Sequence, residues 1–313
     1  MIDCPLAAVL TTGAAMLGEP ALARCAAELN APVRVRVRGR PGSGVRSVVR
    51  VLQLASSITA GVAVCGPDDE SELEVRVIVE AFTAEDATPE LAVLNKADLI
   101  GFTGAGPMAA AFTRCAELRR RTGLTVVPLS ARAALAALEP AALDDDVFGA
   151  LRAVAAGPAR LEASLRARLL AELDLFGIAN AVAALRAGAD RTAVRTVLRR
   201  VSGVDAAVAE IDRAAAPARY RRIDAVLAGL AGLAAGPGGA RLAGFLAGDE
   251  VVLARMAAAA EVVRHAGMAV ASPADPLRAA IRWRRYAGGP VSALHRACGA
   301  DLARGALRLW DRR

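Results

Sequence analysis

Val33, Val35 and Val37 alternate with arginines, the period of two that turns apolar side chains to one face of a strand, and the run closes on Gly39. Farther on, Leu91-Ala92-Val93-Leu94 is apolar without interruption, the pattern of a strand covered on both faces. Leu124-Thr125-Val126-Val127-Pro128-Leu129 reads as another strand, and the stretch between them, Pro107 to Arg121, as a helix. A helix over Val45 to Ala55 and strands over Ala60 to Cys65 and Glu74 to Glu80 fill the remaining interval. Strands separated by helices predict an α/β domain with a reduced, mainly parallel sheet over residues 1–140.

Past Glu139-Pro140 the period changes to that of helices. Asp144-Asp145-Asp146 supplies the carboxylates that favour a helix start. Leu165, Leu169, Leu173 and Phe176 recur at helical spacing, and Gly177 is expected to end that helix. Further helices are expected from Asp190 to Val201, Asp205 to Ala214, Pro217 to about Ala235, Arg241 to Leu246, Glu250 to His265, Leu277 to Tyr286 and Val291 to Trp310. Short loops predict antiparallel neighbours, so residues 141–313 read as an all-α bundle.

Composition narrows the class. The chain has 313 residues, 55% hydrophobic but only 3% aromatic, so two domains are expected, with cores built from Ala, Leu and Val. Mean hydropathy is positive, yet the longest uncharged runs, Cys4 to Gly18 and Ala225 to Ala240, fall short of the roughly twenty residues a membrane span needs. Asp3, with no basic flank, argues against a signal peptide. The five cysteines are odd in number, lack metal-ligand spacing and suit reduced thiols of a cytoplasmic protein. His265 and His295 are the only histidines, too few for a His-based zinc site or a catalytic triad, and no metal site is expected.

Lysine occurs once. Of 39 basic residues only Lys96 is not arginine, and it stands in Asn95-Lys96-Ala97-Asp98 at the end of an apolar strand. A carboxylate at Asp98 can accept from the ring N–H and the exocyclic amine of guanine together, a pair that adenine does not offer. A slim lysine stem can lie along the base where the planar fork of arginine would not fit. The tetrapeptide resembles the guanine-reading motif of GTPases. In that family's arrangement Asn95 contacts the acceptor edge of the base and ties neighbouring loops together, while the Lys96 stem lies along the ring. Ser130-Ala131, one helix downstream, is similar to the GTPase loop whose backbone N–H meets guanine O6. Upstream, Gly39-Arg40-Pro41-Gly42-Ser43-Gly44-Val45-Arg46-Ser47 resembles the phosphate loop, whose glycines let backbone N–H groups wrap an anion at a helix N-terminus.

The phosphate side departs from the family. After Gly44 the motif needs Lys and then Ser or Thr; here stand Val45 and Arg46, with Ser47 one place late. Cys65-Gly66-Pro67-Asp68-Asp69-Glu70 occupies the place of the Asp-x-x-Gly turn, and Thr59 is the only threonine between the phosphate loop and that turn for a first switch. The resemblance covers less than half the chain. It implies a degenerate P-loop GTPase-like domain related to translation-factor GTPases, nearest to the dynamin-like and Era-like branches and to alanine- and arginine-rich actinobacterial proteins labelled dynamin-like. It further implies weak binding of GTP or GDP through Gly39, Gly42, Gly44, Arg46, Ser47, Asn95, Lys96, Asp98, Ser130 and Ala131, with Mg²⁺ deprived of its usual hydroxyl ligand. Hydrolysis is then weak or absent, no residue is assigned as catalytic, and the protein is a pseudo-GTPase serving as a regulatory or scaffolding partner. Two alternatives stand beside this: a slow GTPase using Arg46 for the missing lysine, and a helical adaptor that binds no nucleotide.

Charge gathers at one end. Residues 276–313 hold nine Arg and two Asp, a surplus equal to the whole chain's net charge of +7. Arg282, Trp283, Arg284, Arg285, Tyr286, Arg308 and Trp310 are therefore expected to form a surface for an acidic or GTPase-like protein, or for an anionic membrane to which the chain would be peripheral. Nucleic acid is less favoured, because no nucleic-acid motif is present. The plainer alternative is a bundle end with aromatics in its core and arginines in water.

Overall fold

The computed structural model describes residues 4–56, 61–82, 90–101, 106–270 and 275–312. Thr59, and Ala60 at the start of an expected strand, lie outside them. Two helices come first, α1 (Pro5–Leu17) and α2 (Pro20–Asn30), each with proline in its first turn, where the missing N–H costs no helical bond. Then follow β1 (Val33–Gly39), α3 (Val45–Ser56), β2 (Val62–Val64), β3 (Leu73–Ile78) and β4 (Leu91–Asn95). A 3-10 turn (Ala97–Leu99), α4 (Pro107–Thr122), β5 (Thr125–Leu129) and α5 (Ala131–Leu138) come next. The rest is helical: α6 (Asp145–Ala156), α7 (Ala163–Arg186), α8 (Arg191–Ser202), α9 (Val204–Ala214), α10 (Ala216–Ala234), α11 (Ala240–Leu246), α12 (Asp249–His265), α13 (Pro276–Ala287) and α14 (Ala293–Asp311).

The strands form one sheet in the order β2-β1-β3-β4-β5. β1, β3, β4 and β5 run parallel, with Val35 opposite Leu73, Val77 opposite Val93 and Val93 opposite Val127. All five residues of β4 are buried, as its unbroken apolar run predicts. Because β2 and β3 lie on opposite sides of β1, the chain order reverses there, and open α/β sheets bind ligands outside the carboxyl ends of the strands at such a point.

Compactness divides the chain otherwise than the sequence suggests. Residues Arg34–Asp212 form one unit; Met1–Val33 joins Arg213–Arg313 in the other. The boundary expected at residue 140 therefore falls inside the first unit, where Ala136 of α5, Val147 and Leu151 of α6, Leu169 and Leu173 of α7 and Leu198 of α8 share a core. In the second unit Leu6 and Leu10 of α1 and Leu22 of α2 pack with Ile223, Leu227 and Leu230 of α10 and Val251 of α12. Arg222 of α10 reinforces this by donating to the carbonyls of Glu28 and Ala31 at the end of α2. The uncharged run near the N-terminus is thus a helix that buries one face, Leu6, Ala7, Leu10 and Gly13, in this core. No helix among the described residues is long and apolar enough to cross a membrane. None of the five cysteines is bridged, and burial pushes the Cys115 and Cys298 thiols up to about 12.

Caps fall where the acidic residues predict them: Asp144 accepts from Val147 N–H at 3.0 Å, and Asp190 from Ala193 N–H at 2.7 Å. α7 differs from expectation. It does not end at Gly177 but breaks at Asp174, where φ is 55° and ψ is −174°, and resumes to Arg186. Asp174 Oδ1 accepts the Gly177 N–H at 3.0 Å and so caps the resumed segment. Gly177 is needed for closeness instead, since a Cβ there would lie 3.0 Å from that of Leu173.

Candidate functional site

A cleft of about 1610 Å³ lies at the carboxyl ends of β1, β3 and β4. The loop between β1 and α3 forms one wall, and Asn95, Lys96 and Asp98 after β4 another. Ala131 and Arg132 at the start of α5, with Asp174, Phe176 and Asn180 of α7, complete it.

The loop owes its path to two glycines. Gly42 and Gly44 have φ of 82° and 83°, open to glycine at no steric cost. Ser43 closes the turn, its N–H and Oγ both donating to the Arg40 carbonyl at 3.0 and 2.7 Å. The Val48 N–H donates to the Gly44 carbonyl at 3.1 Å and begins the α3 ladder. The N–H groups of Val45, Arg46 and Ser47 therefore have no acceptor within the helix, and the positive end of its dipole borders the cleft. Arg40 and Arg46 are exposed on this wall, and among the described residues neither meets a carboxylate. Position 46 carries no hydroxyl, and Ser47 lies one step farther along the helix. No group of three metal-ligating side chains occurs among the described residues.

Asn95 holds the walls together. It is 3% exposed; its Nδ2 donates to the Ser43 carbonyl at 2.9 Å and its Oδ1 accepts the Ala131 N–H at 3.2 Å. Gly44 lies so close that a Cβ would come within 2.4 Å of Nδ2. This arrangement changes the part of Ser130-Ala131. The Ala131 N–H, which the resemblance offers to guanine O6, is spent on Asn95, and the Ser130 N–H is spent on the Ser202 carbonyl at 2.9 Å. The Ser130 hydroxyl is buried and finds no partner among the described residues.

Lys96 adopts a left-handed conformation, φ 56°, and is exposed, while Asp98 in the following turn is 8% exposed. Asp98 accepts no hydrogen bond from any described residue, although a buried carboxylate without donors is costly. Nearby, burial pushes the Asp174 carboxyl above the usual carboxylate range; N–H groups of Gly177 and Phe176 oppose this, and the Asp98 charge adds to it. The Arg132 charge offsets this only weakly, and its guanidinium donates to the carbonyls of Leu170 and Ala171. The lining thus brings together Arg40 and Arg46, which meet no carboxylate among the described residues, and the carboxylates of Asp98 and Asp174.

The turn from Cys65 to Glu70 contributes nothing to the lining. It folds on itself: Asp69 Oδ2 accepts the Gly66 N–H at 2.8 Å, and Arg36 donates to the Asp69 carbonyl. Sequence reasoning missed Asp174, Phe176 and Asn180. The only local signal for the first was an acidic residue three places before a glycine.

The expected partner surface is largely spent on the second unit's own structure. Trp283 does not lie on the expected surface: it is 3% exposed and packs with Tyr220, Val263 and Leu302 in a core of the second unit. Tyr286 packs edge-on to it with centroids 5.6 Å apart, and the Tyr286 hydroxyl meets His295 Nδ1 at 2.5 Å. Arg282 lies 5.1 Å over the Trp283 ring and donates to the Ala269 carbonyl at 2.9 Å. Arg308 pairs with Asp249 at 3.5 Å. Arg284, Arg285 and Trp310 remain exposed.

No family model matches the chain, and neither a curated protein nor a solved structure resembles it significantly.

Proposed function

We propose that the cleft binds a guanine nucleotide, with phosphates against Gly39 to Ser47 and the base against Asp98, and that the protein is a nucleotide-responsive partner of other proteins and a poor hydrolase. One observation carries this reading: a single cleft joins a glycine loop at a helix N-terminus to a buried carboxylate that has no donor among the described residues. Guanine supplies the two adjacent N–H donors that such a carboxylate lacks, and adenine does not. Arg40 and Arg46, exposed and without carboxylate partners, suit the phosphates. Turnover is expected to be poor, because the lysine and the hydroxyl that normally neutralise charge and ligate Mg²⁺ are missing after Gly44. The freedom of Arg46 favours one second reading, a slow hydrolase in which it serves the phosphates.

The test is a titration of fluorescent GDP at millimolar Mg²⁺ with unlabelled competitors. GTP and GDP should compete similarly, and ATP about tenfold or more less well, since a site built to bond a base rejects one that leaves it unpaired. Asp98→Ala should erase the preference. Equal affinity for ATP and GTP in the unaltered protein overturns the reading, and GTP turnover that vanishes in Arg46→Ala establishes the slow hydrolase.

A further inference from the structure

α7 breaks where it borders the cleft. Asp174 sits at φ 55° and ψ −174°, a strained conformation outside the left-handed helical region and one that glycine adopts far more readily than any residue with a side chain. One carboxylate oxygen caps the resumed helix through Gly177, and the residue lines the cleft together with Asp98. Asp98 is 8% exposed and accepts from no described donor. The two carboxylates are close enough for the charge of Asp98 to disfavour ionisation of Asp174, and Arg132, the weakest contributor, is bound to carbonyls of α7. Two acceptors on separate elements of one cleft, the first with no donor among the described residues, suit a ligand edge carrying more N–H groups than one carboxylate can take.

Guanine has such an edge. Its ring N–H and one hydrogen of its amine satisfy a single carboxylate side by side, which leaves the second amine hydrogen. We propose that Asp174 accepts that second amine hydrogen, which makes α7 a specificity-determining wall of the base site. The inference rests on the guanine reading of the cleft and adds a residue from outside the sheet and its loops. Hypoxanthine, which lacks the amine, is the ligand that isolates it.

GDP and IDP affinities are measured for the unaltered protein, Asp174→Asn and Asp174→Gly, with melting temperatures alongside. Asn keeps an oxygen for the cap at the same strained backbone, and Gly, the residue most at ease at φ 55° and ψ −174°, offers no acceptor. Loss of the amine should weaken binding to the unaltered protein about tenfold more than binding to Asp174→Gly, the range for a hydrogen bond to a charged group. Asp174→Asn should fall between, and IDP should bind all three proteins alike. If both substitutions weaken GDP and IDP equally, Asp174 only shapes α7 and the proposal is overturned while the guanine reading stands. If the unaltered protein does not distinguish GDP from ATP, the guanine reading fails and takes the proposal with it.

Discussion

Asp98 and Asp301 are nearly equally buried, at 8% and 3% exposure, yet their surroundings are opposite. Asp301 of α14 accepts from Tyr220 at 2.5 Å, from Arg255 at 2.6 Å and from Arg304 at 3.2 Å, and Arg255 also reaches Asp224 at 2.7 Å. That network joins α10, α12 and α14. Burial, with help from Asp301, holds the Tyr220 hydroxyl protonated well above its ordinary range. A carboxylate kept for architecture is surrounded by donors from its own chain. Asp98 accepts from no described residue, and that contrast is what the proposed base site rests on.

The sharpest way to break this comparison is to remove each carboxylate in turn. Asp301→Ala strands Arg255 and the Tyr220 hydroxyl in the helical unit and should lower stability by about 3–5 kcal/mol in urea unfolding. Asp98→Ala should leave stability unchanged or slightly higher. Equal losses would mean that Asp98 is structural too.

A smaller effect tests the connection between the walls. Gly44→Ala combines φ 83° with a Cβ 2.4 Å from the Asn95 amide, and should cost about 1–3 kcal/mol. Asn95→Ala removes two buried bonds and should cost a similar amount, about 1–3 kcal/mol. If the two effects add fully in the double variant, the loop and Asn95 are not the coupled pair their geometry indicates.

The smallest effect is expected at the basic surface of the second unit. Arg284→Glu with Arg285→Glu should change stability by no more than about 0.5 kcal/mol, because both side chains are exposed. Any binding to acidic vesicles should weaken in this variant, and in the unaltered protein as salt screens exposed charges to about 8 Å at 0.15 M. Unfolding of the double variant would show that these arginines belong to the architecture, as Arg282 does.

Period and punctuation made much of the α/β unit legible. Alternating Val33, Val35 and Val37, the unbroken run through Leu94 and the prolines and glycines at element ends are local signals, and the elements follow them within a few residues. The loop glycines and Asn95 were legible because backbone geometry and a buried amide constrain residue type. Asp174 was not: inside a leucine periodicity it looks like a solvated helical residue, and only the break in α7 brings it to the cleft. Trp283 was misread for a related reason, since flanking arginines advertise exposure while the helical period turns the ring inward. The union of α1 and α2 with α10 to α12 leaves no local trace, because matching apolar stripes do not name their partners.

That union has a bearing on how the chain is made. Glu28 and Arg222, joined in the finished protein, are 194 residues apart, so the ribosome needs roughly 10–40 s to produce the second after the first. Throughout that interval the apolar faces of α1 and α2 can cover one another but lack α10 to α12, while the whole Arg34–Asp212 unit emerges between them and their partners. The segment carrying α1 and α2 is therefore synthesised long before the helices that complete its burial, and its apolar faces are where a chaperone would find something to hold.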